Sequence, residues 1–529
     1  MIGMVFKGTK TRVRLACFVA LSIATGFILM LANDFLGQVF NDYILVQNFD
    51  GFALLFLATI GLFVLMFILN IFISYLRADF QYSSLSRLAT HCISRLLRAK
   101  SSYFTNRPSA DLYAKLNEAT FSVSFLIVSL MSMVSYGIIC IFYAIIIFRI
   151  DIVAGIFTIL ITPVYYIANA WVGGVLSTLM HEKLEADGEM SAVTQEGFEN
   201  VNNVKAKGAY TFFEGRSLSV LNKLKRVSVK ESTVEGYIHG ITTLLRIIAP
   251  LLVIFAVIQL SSGFDGSATV LILLYINIPL FLANFANLFV QIIEYNGAKP
   301  FIAQLREYDE VEQECEGGVE ITSFESLRTS GVIVNFEDGR TVSVPNLELT
   351  KGEKVMLFGE SGVGKSTLFN IIMGIITNYD GDVYINNINL REINLISLRK
   401  VFGITFQQTN ALTLNLRENI TLGVPVDDDK IEQLIKLTSL EGQQDIKGDA
   451  TLNNKVLSGG EKSRLGLSQT LAPDPEIMLL DEVFSNMDEA LESKILSDLF
   501  HEYPGRAVIC ISHRKSSKPF FDRVVDFNS

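Results

Sequence analysis

The sequence predicts an α-helical domain of six membrane spans followed by an α/β domain with a phosphate-binding loop. Half of the 529 residues are apolar, long apolar runs fill much of the first 300 residues, and a glycine-rich loop follows a short apolar strand near Phe358. Soluble domains are rarely this apolar, and a membrane helix needs about 20 consecutive apolar residues. We therefore expect a transmembrane domain at residues 1–310 and an α/β domain at 320–529.

Six apolar runs are each close to the length that crosses a bilayer. The third and fourth are separated only by Arg149, Ile150 and Asp151, so the boundary between them is the least defined. The runs lie at residues 15–32, 52–76, 125–148, 152–172, 241–260 and 269–291.

Loop charges predict the orientation of these spans. Lys and Arg concentrate before the first run and in two long connections, 77–124 and 173–240, whereas the first-to-second loop carries Asp34, Asp42 and Asp50 and no basic residue. Basic loops stay on the cytosolic side of a membrane. We expect both termini in the cytosol, and the short outer loops favour the cytoplasmic (inner) membrane of a bacterium.

The balance of charge and the cysteines exclude several classes of function. Residues 1–300 carry 22 Lys and Arg against 18 Asp and Glu, and residues 301–529 carry 22 against 36. A basic membrane half beside an acidic soluble half argues against nucleic acid as a partner. The five cysteines are scattered without a C-x-x-C pair, so neither a zinc site nor a disulfide framework is expected.

Polar residues recur on one face of the sixth predicted span. Their spacing is 7, 3, 4 and 3 residues, which aligns them along a helix. They either line a substrate path through the membrane or hydrogen-bond to neighbouring helices. The residues of this stripe are Asn277, Asn284, Asn287, Gln291 and Glu294.

Residues 359–367 read Gly-Glu-Ser-Gly-Val-Gly-Lys-Ser-Thr and fit the phosphate-loop pattern G-x-x-x-x-G-K-[ST]. The loop follows a strand-like run and opens into a helical pattern, so backbone N–H groups at the helix start can bind phosphate oxygens. Lys365 supplies positive charge to the phosphates of ATP, and the Ser366 hydroxyl can ligate Mg²⁺. The candidate ATP-binding residues are Gly359, Glu360, Ser361, Gly362, Val363, Gly364, Lys365, Ser366 and Thr367.

Downstream residues supply the other groups of a nucleotide site. Asp481 ends an apolar strand and can hold the metal, while Glu482 beside it can orient or deprotonate the attacking water. His513 ends another apolar strand and can reach the γ-phosphate. Phe336 is either a platform that stacks on adenine or a plain core aromatic.

These motifs resemble the nucleotide-binding domain of the ABC transporter superfamily over most of residues 320–529. By this resemblance residues 457–461, Leu-Ser-Gly-Gly-Glu, form the signature, residues 485–488 the D-loop and His513 the switch histidine. It also implies that Gln407 is the Q-loop glutamine, which acts in catalysis with Glu482 and His513 and binds the metal with Ser366 and Asp481. Further ATP contacts implied are Ser458, Gly459, Gly460, Glu461 and Asp488.

The membrane half resembles the six-helix exporter type, with cytosolic coupling loops near 103–118 and 199–210. The family implies that the signature of one chain closes over the phosphate loop of a second chain. One membrane half and one ATP half therefore imply a half-transporter. Its partner is expected to be an identical chain, and a different partner chain is the alternative.

The resemblance implies ATP-driven export, with Mg²⁺ and ATP as cofactors and the lipid bilayer as surroundings. The amide stripe favours a polar or amphipathic cargo, and a small peptide of the bacteriocin or modified-peptide type fits it best. A lipid or glycolipid flippase and a multidrug exporter remain alternatives. A further alternative is a sensor or regulatory membrane ATPase without net transport.

Overall fold

The computed structural model describes residues 9–44, 51–105, 107, 109–260, 267–314, 317–336, 339–360, 362–441 and 457–527. It divides into two compact units, one of residues 1–97 and 110–310 and the other of residues 98–109 and 311–529. Among the predicted site residues, Ser361 lies outside the described residues. Positions 106 and 108 of the predicted first coupling loop also lie outside them.

Helices make up most of the described residues up to 310, because a chain in lipid must satisfy its backbone polar groups internally. A short π-helix, Val39–Ile44, follows the first of them. Their bounds are α1 Thr9–Gln38, α2 Phe52–Leu97, α3 Ser102–Thr105, α4 Ser109–Ile150, α5 Ile152–Glu199, α6 Val201–Ala206, α7 Tyr210–Leu260 and α8 Ala268–Glu310.

Five described stretches are long and apolar enough to cross a membrane, and a shorter apolar helix, Ile152–Val164, begins α5. This is compatible with the predicted count of six. The five stretches are Thr11–Ile44, Phe52–Leu97, Leu112–Ile150, Tyr210–Leu260 and Ala268–Glu310.

The helices run well past the apolar runs. α7 has 51 residues, and at ~1.5 Å per residue such a helix is more than twice as long as the ~30 Å hydrocarbon layer is thick. Its polar part packs along α5, where Lys183 pairs with Glu231 at 2.5 Å and Lys223 with Glu189 at 2.6 Å. The apolar pattern therefore marked only one part of each helix.

A capped turn separates α4 from α5. The Asp151 side chain accepts a hydrogen bond from the Ala154 N–H at 2.9 Å, which begins α5. Arg149, at the end of α4, pairs with Asp34 of α1 at 3.3 Å. Residues 149–151, which separate the third and fourth apolar runs in the sequence, thus contain the boundary between α4 and α5.

Strands and shorter helices make up the second unit. Its strands are β1 Ser326–Asn335, β2 Thr341–Val344, β3 Glu348–Thr350, β4 Lys354–Phe358, β5 Asp380–Ile385, β6 Ile388–Asn389, β7 Phe402–Thr405, β8 Ile477–Asp481, β9 Ala507–Ile511 and β10 Arg523–Asp526. Its longer helices are α9 Lys365–Ile372, α10 Leu395–Val401, α11 Leu416–Thr421, α12 Asp428–Leu437, α13 Gly459–Leu471 and α14 Glu489–Glu502.

The strands form two sheets. One is antiparallel in the order β2-β1-β5-β6, with β3 on β1, and the other is parallel in the order β10-β4-β9-β8-β7. Every residue of β8 and β9 is buried, which suits strands covered on both faces. The predicted order, a helical membrane domain followed by an α/β domain, is confirmed.

A segment between the first long helices belongs to the second unit. Ala99 bridges to Gln313, the Lys100 N–H donates to the Glu312 carbonyl at 3.1 Å, and the Glu314 N–H donates to the Arg98 carbonyl at 2.9 Å. Residues 98–109 therefore belong to the same compact unit as the α/β domain, although they lie within the membrane domain that the sequence predicts at 1–310. Near the predicted second coupling loop, 199–210, the chain forms α6.

We predict that Gly381→Ala lowers the free energy of unfolding of the α/β domain by about 2 kcal/mol or more. Gly381 has φ +84°, and a Cβ there would lie 2.2 Å from the Gly331 carbonyl oxygen, where β1 shifts register against β5. Gly505→Ala is the matched control, because a Cβ at Gly505 meets no atom of the described residues within 4 Å. Thermal unfolding of both variants tests this, and equal melting temperatures would contradict it.

Candidate functional site

The phosphate loop joins β4 to α9 and is held in place by the core. Leu368 and Phe369 on α9 are buried in the core that also contains Val355 and Leu357 of β4. Gly364 caps α9 with φ +100°, and a Cβ there would lie 2.5 Å from a methyl group of Val342. Only glycine fits such a left-handed, crowded position, so β2 and α9 together fix the loop.

Lys365 begins α9 with its side chain folded onto the loop. It is 5% exposed, and its Nζ donates to the carbonyls of Gly359 and Glu360 at 2.6 Å each. Burial lowers the pKa of the Lys365 ammonium, while the charges of Glu482 and Asp481 raise it. The ammonium thus lies inside the loop, where anionic phosphates would stabilise it.

Asp481 ends β8 and is 5% exposed. Its carboxylate has a hydrogen bond with Ser366, and its Oδ1 atom has no hydrogen-bond partner among the described residues. Burial raises the pKa of the Asp481 carboxyl, against the lowering effect of Ser366. A buried, incompletely paired carboxylate beside a hydroxyl fits Mg²⁺, which takes one or two protein oxygens with the phosphates.

Glu482 connects the ends of three neighbouring strands. Its Oε2 accepts from Gln407 Nε2 at 2.9 Å, and its Oε1 lies 2.8 Å from His513 Nε2. Its φ of +48° is left-handed, a conformation that non-glycine residues rarely adopt and that clusters at functional sites. This backbone conformation brings the carboxylate between Gln407, which follows β7, and His513, which follows β9.

The signature begins α13 with a capping box. The Glu461 N–H donates to Ser458 Oγ at 3.4 Å, and the Ser458 N–H donates to Glu461 Oε2 at 2.6 Å. A Cβ on Gly460 would lie 2.9 Å from the Asn486 carbonyl oxygen, and one on Gly459 would lie 3.5 Å from its side chain. The glycines therefore let the D-loop backbone pass close to the signature.

Asp488 and Arg514 hold the loops around Glu482. The Asp488 side chain caps α14 by accepting from the Leu491 N–H at 2.8 Å. Arg514 pairs with the buried Glu492 at 2.7 Å and donates to the Ser485 carbonyl at 2.9 Å. Sequence reasoning missed Arg514, although it directly follows His513.

Phe336 lies just after β1 and is half-buried against the core. The Arg340 guanidinium lies 5.5 Å from its ring centroid, and the Phe336 N–H donates to the Arg340 carbonyl at 2.8 Å. The ring therefore combines a core edge with a face toward a cation. This geometry is compatible with both interpretations of Phe336.

The polar stripe of α8 does not have one uniform environment. Asn277 is 2% exposed and donates to Asn33 of α1 at 2.7 Å, so it makes an interhelical hydrogen bond. Asn284 donates to the Leu280 carbonyl of its own helix, and Asn287 is exposed. The half-buried Glu294 accepts from Ser129 of α4 at 3.4 Å and from Gln291.

Two family profiles and a solved structure match this chain. A family profile described as ABC transporter transmembrane region matches residues 15–285, and one described as ABC transporter matches residues 342–485. The chain belongs to the ABC transporter family. A solved structure, titled as a bacterial Atm1-family ABC exporter with ATP bound, superposes on this ABC transporter with a TM-score of 0.84. It covers 98% of this chain and 94% of its own at 19% identity, and it shows the shared exporter fold.

Curated relatives of this ABC transporter align over shorter stretches. ATP-dependent permease MDL1 of Candida albicans is 27% identical over 67% of this chain and 53% of its own length. The Microcin-J25 export ATP-binding/permease protein McjD of Escherichia coli is 34% identical over 34% of this chain and 32% of its own. The β-(1→2)glucan export ATP-binding/permease protein NdvA of Rhodopseudomonas palustris (strain BisB18) is 29% identical over 36% and 33%. This chain thus spans about half of MDL1 and about a third of the other two.

We predict that Gln407→Ala and His513→Ala each lower kcat for ATP hydrolysis by about 10-fold or more, with a smaller change in KM. Each substitution removes one partner of the Glu482 carboxylate, so the carboxylate loses its orientation. Steady-state kinetics of the purified protein in lipid measure both constants. Gln408→Ala is the control, since Gln408 is exposed beside Gln407. Equal kcat values for Gln407→Ala and Gln408→Ala would contradict the assignment.

Proposed function

We propose that this chain hydrolyses ATP and uses the energy to export a cargo across the cytoplasmic membrane. One observation carries the proposal. Glu482 is held between Gln407 and His513, on the edge of the sheet where Lys365 and Asp481 also lie. Phosphoryl transfer to water needs a group that orients the water, a positive charge at the phosphates and a ligand for the metal. Glu482, the buried Lys365 and the buried Asp481 can supply these three functions beside the glycine-rich loop.

The residues have separate roles in this proposal. The loop N–H groups and Lys365 bind the phosphates of ATP, and Ser366 with Asp481 would hold Mg²⁺. When bound, the metal neutralises charge that develops on the transferred phosphoryl group. Glu482 orients the attacking water and accepts its proton on a carboxylate oxygen, while Gln407 and His513 fix that carboxylate.

A second copy of the chain would complete each site. The chain carries one membrane region and one ATP region, as a half-transporter does. In the proposed homodimer, Ser458, Gly459 and Gly460 of one copy contact ATP bound to the phosphate loop of the other. ATP then favours the closed state of a two-state equilibrium, and hydrolysis releases it. Both termini lie in the cytosol in this arrangement.

A small peptide is the cargo that we favour. The supporting observations are amides that line a cavity among the membrane helices and the similarity to McjD, whose name states export of microcin J25. A cavity of about 440 Å³ at one end of the helices is lined by Asn33, Asp34, Gln38, Asn41 and Arg149. Amides supply both donors and acceptors, which peptide backbones require. NdvA keeps a glucan as the second candidate, since hydroxyl groups suit the same lining.

We predict that peptides stimulate ATP hydrolysis and accumulate inside vesicles that contain the protein with its ATP sites outward. The panel holds short linear and cyclic peptides, a β-glucan oligosaccharide, a labelled phospholipid and a cationic drug. Lys365→Ala is the control, because it removes the buried charge of the phosphate loop and should abolish both signals.

If the glucan, lipid or drug accumulates and the peptides do not, the proposal of a peptide cargo is wrong and the accumulated compound identifies the cargo class. Stimulated hydrolysis without accumulation of any compound would contradict export and favour a regulatory ATPase. A homodimer requires that this protein, purified without any other protein, hydrolyses ATP. No ATP hydrolysis by the purified protein would contradict the proposed homodimer.

A further inference from the structure

Arg399 joins three segments of the ATP half that are distant in sequence. It lies near the end of α10, and its Nη1 and Nη2 atoms donate to the two carboxylate oxygens of Glu314 at 2.5 and 3.0 Å. Its Nε and Nη2 atoms also donate to the Met373 carbonyl at 3.3 and 3.2 Å. Paired guanidinium–carboxylate bonds of this kind fix direction as well as distance.

Glu314 is connected to the ends of two long membrane-domain helices. Its N–H donates to the Arg98 carbonyl at 2.9 Å, and Ala99 bridges to the neighbouring Gln313. Arg98 directly follows α2, and Glu314 lies four residues after α8 ends at Glu310. Lys100 adds an ion pair to Glu312. Displacement of the α8 end therefore acts on Glu314 through continuous chain, and displacement of the α2 end acts on it through the backbone contacts of Arg98 and Ala99.

Arg399 is also close along the chain to Gln407, and it contacts the end of the helix that begins with Lys365. α10 ends at Val401 and continues without a loop into β7, which ends two residues before Gln407. Met373 is the C-cap of α9, the helix that begins with Lys365. Leu398 is fully buried and Val401 is 5% exposed, so α10 is packed into the core, and close-packed interiors transmit strain.

We propose that the Arg399–Glu314 pair is a positioning device that couples the cytosolic ends of α2 and α8 to Gln407 and to the phosphate-loop helix. Neither side chain belongs to the set that would touch ATP, so the pair acts through the elements that it joins. The inference rests on the proposed ATP-driven transport. A direct connection of this kind lets each end bias the other, which is what coupling of two sites requires.

The alternative is that Arg399 only stabilises the fold. The two side chains are 33% and 22% exposed, so solvent partly screens the pair and its contribution to stability is limited. Arg391 provides a matched comparison within the same unit. It also pairs with a carboxylate, Asp382, and donates to the Tyr379 and Gly381 carbonyls, all outside the helix-end segments.

The test uses the full-length protein in lipid nanodiscs, with its native cysteines replaced and a single cysteine introduced as Ile44→Cys. Ile44 is 41% exposed at the end of the π-helix, far along the chain from the ATP half. The labelling rate by a membrane-impermeant maleimide is measured without nucleotide and with ATP and vanadate. ATP hydrolysis and thermal unfolding are measured on the same samples.

With the native pair, we expect nucleotide to change the labelling rate by about fivefold or more. Arg399→Ala and Glu314→Gln should remove most of that change, while kcat and KM for ATP stay within about twofold of wild type. The double variant should behave like either single variant, since the two side chains act as one unit. Arg391→Ala should keep the full change.

A nucleotide-dependent change that persists in Arg399→Ala would overturn the inference and leave the proposed transport intact. A loss shared by Arg391→Ala, or accompanied by an equal fall in hydrolysis and melting temperature, would assign Arg399 a structural role and also overturn it. If the native pair itself shows no nucleotide-dependent change, both the transport proposal and the inference fail.

Discussion

The parallel pairing of β4, β9, β8 and β7 is the constraint on which the nucleotide site depends. In a parallel sheet the carboxyl ends of neighbouring strands meet at one edge, and ligand sites form there. Asp481 pairs with Ile511, and Leu357 pairs with the same residue from the other side. That register puts Glu482, His513 and the start of the phosphate loop at one edge, and β7 brings Gln407 beside them. β4, β9 and β8 take the central places of this sheet, where the inner residues of β4 and all residues of β9 and β8 are buried. Apart from Asp481 at the end of β8, these buried residues are apolar, as suits strands covered on both faces.

The same edge contains charges that the core disfavours unless a ligand compensates them. Burial works against the charged forms of both Lys365 and Asp481, and Asp481 Oδ1 has no hydrogen-bond partner in the part of the chain that the structure describes. Lys365 is held by loop carbonyls and Glu482 by Gln407 and His513. ATP with its metal would replace some of these contacts by stronger ones, so binding energy is available to change the loops that carry them. The pair of Arg399 and Glu314 offers a route from those loops to the helix ends.

The parts that sequence reasoning found are those encoded within short windows. The phosphate loop, the apolar strand before Asp481 and the apolar runs of the membrane half are local patterns, and the structure places each on the expected type of element. The contacts that it did not find join residues far apart in the chain. Asn277 bonds to Asn33, and Glu314 bonds to Arg399 and Arg98, at separations that no periodicity encodes. The helices also continue beyond their apolar runs, because polar side chains end contact with lipid without ending a helix. The environment of each residue in the α8 stripe depended on the same tertiary packing.

The most direct test of this account is the rate of ATP hydrolysis by Glu482→Gln, measured beside its affinity for ATP. The amide keeps the shape of the side chain, but it has a single acceptor oxygen where the carboxylate uses both oxygens toward Gln407 and His513, and it cannot accept the proton of water. The account predicts that hydrolysis falls by about 100-fold or more while ATP still binds, because Lys365, Ser366 and Asp481 are unchanged. Hydrolysis near the wild-type rate, with ATP bound normally, would contradict the catalytic role of Glu482. It would also contradict the proposal that Gln407 and His513 act by orienting its carboxylate.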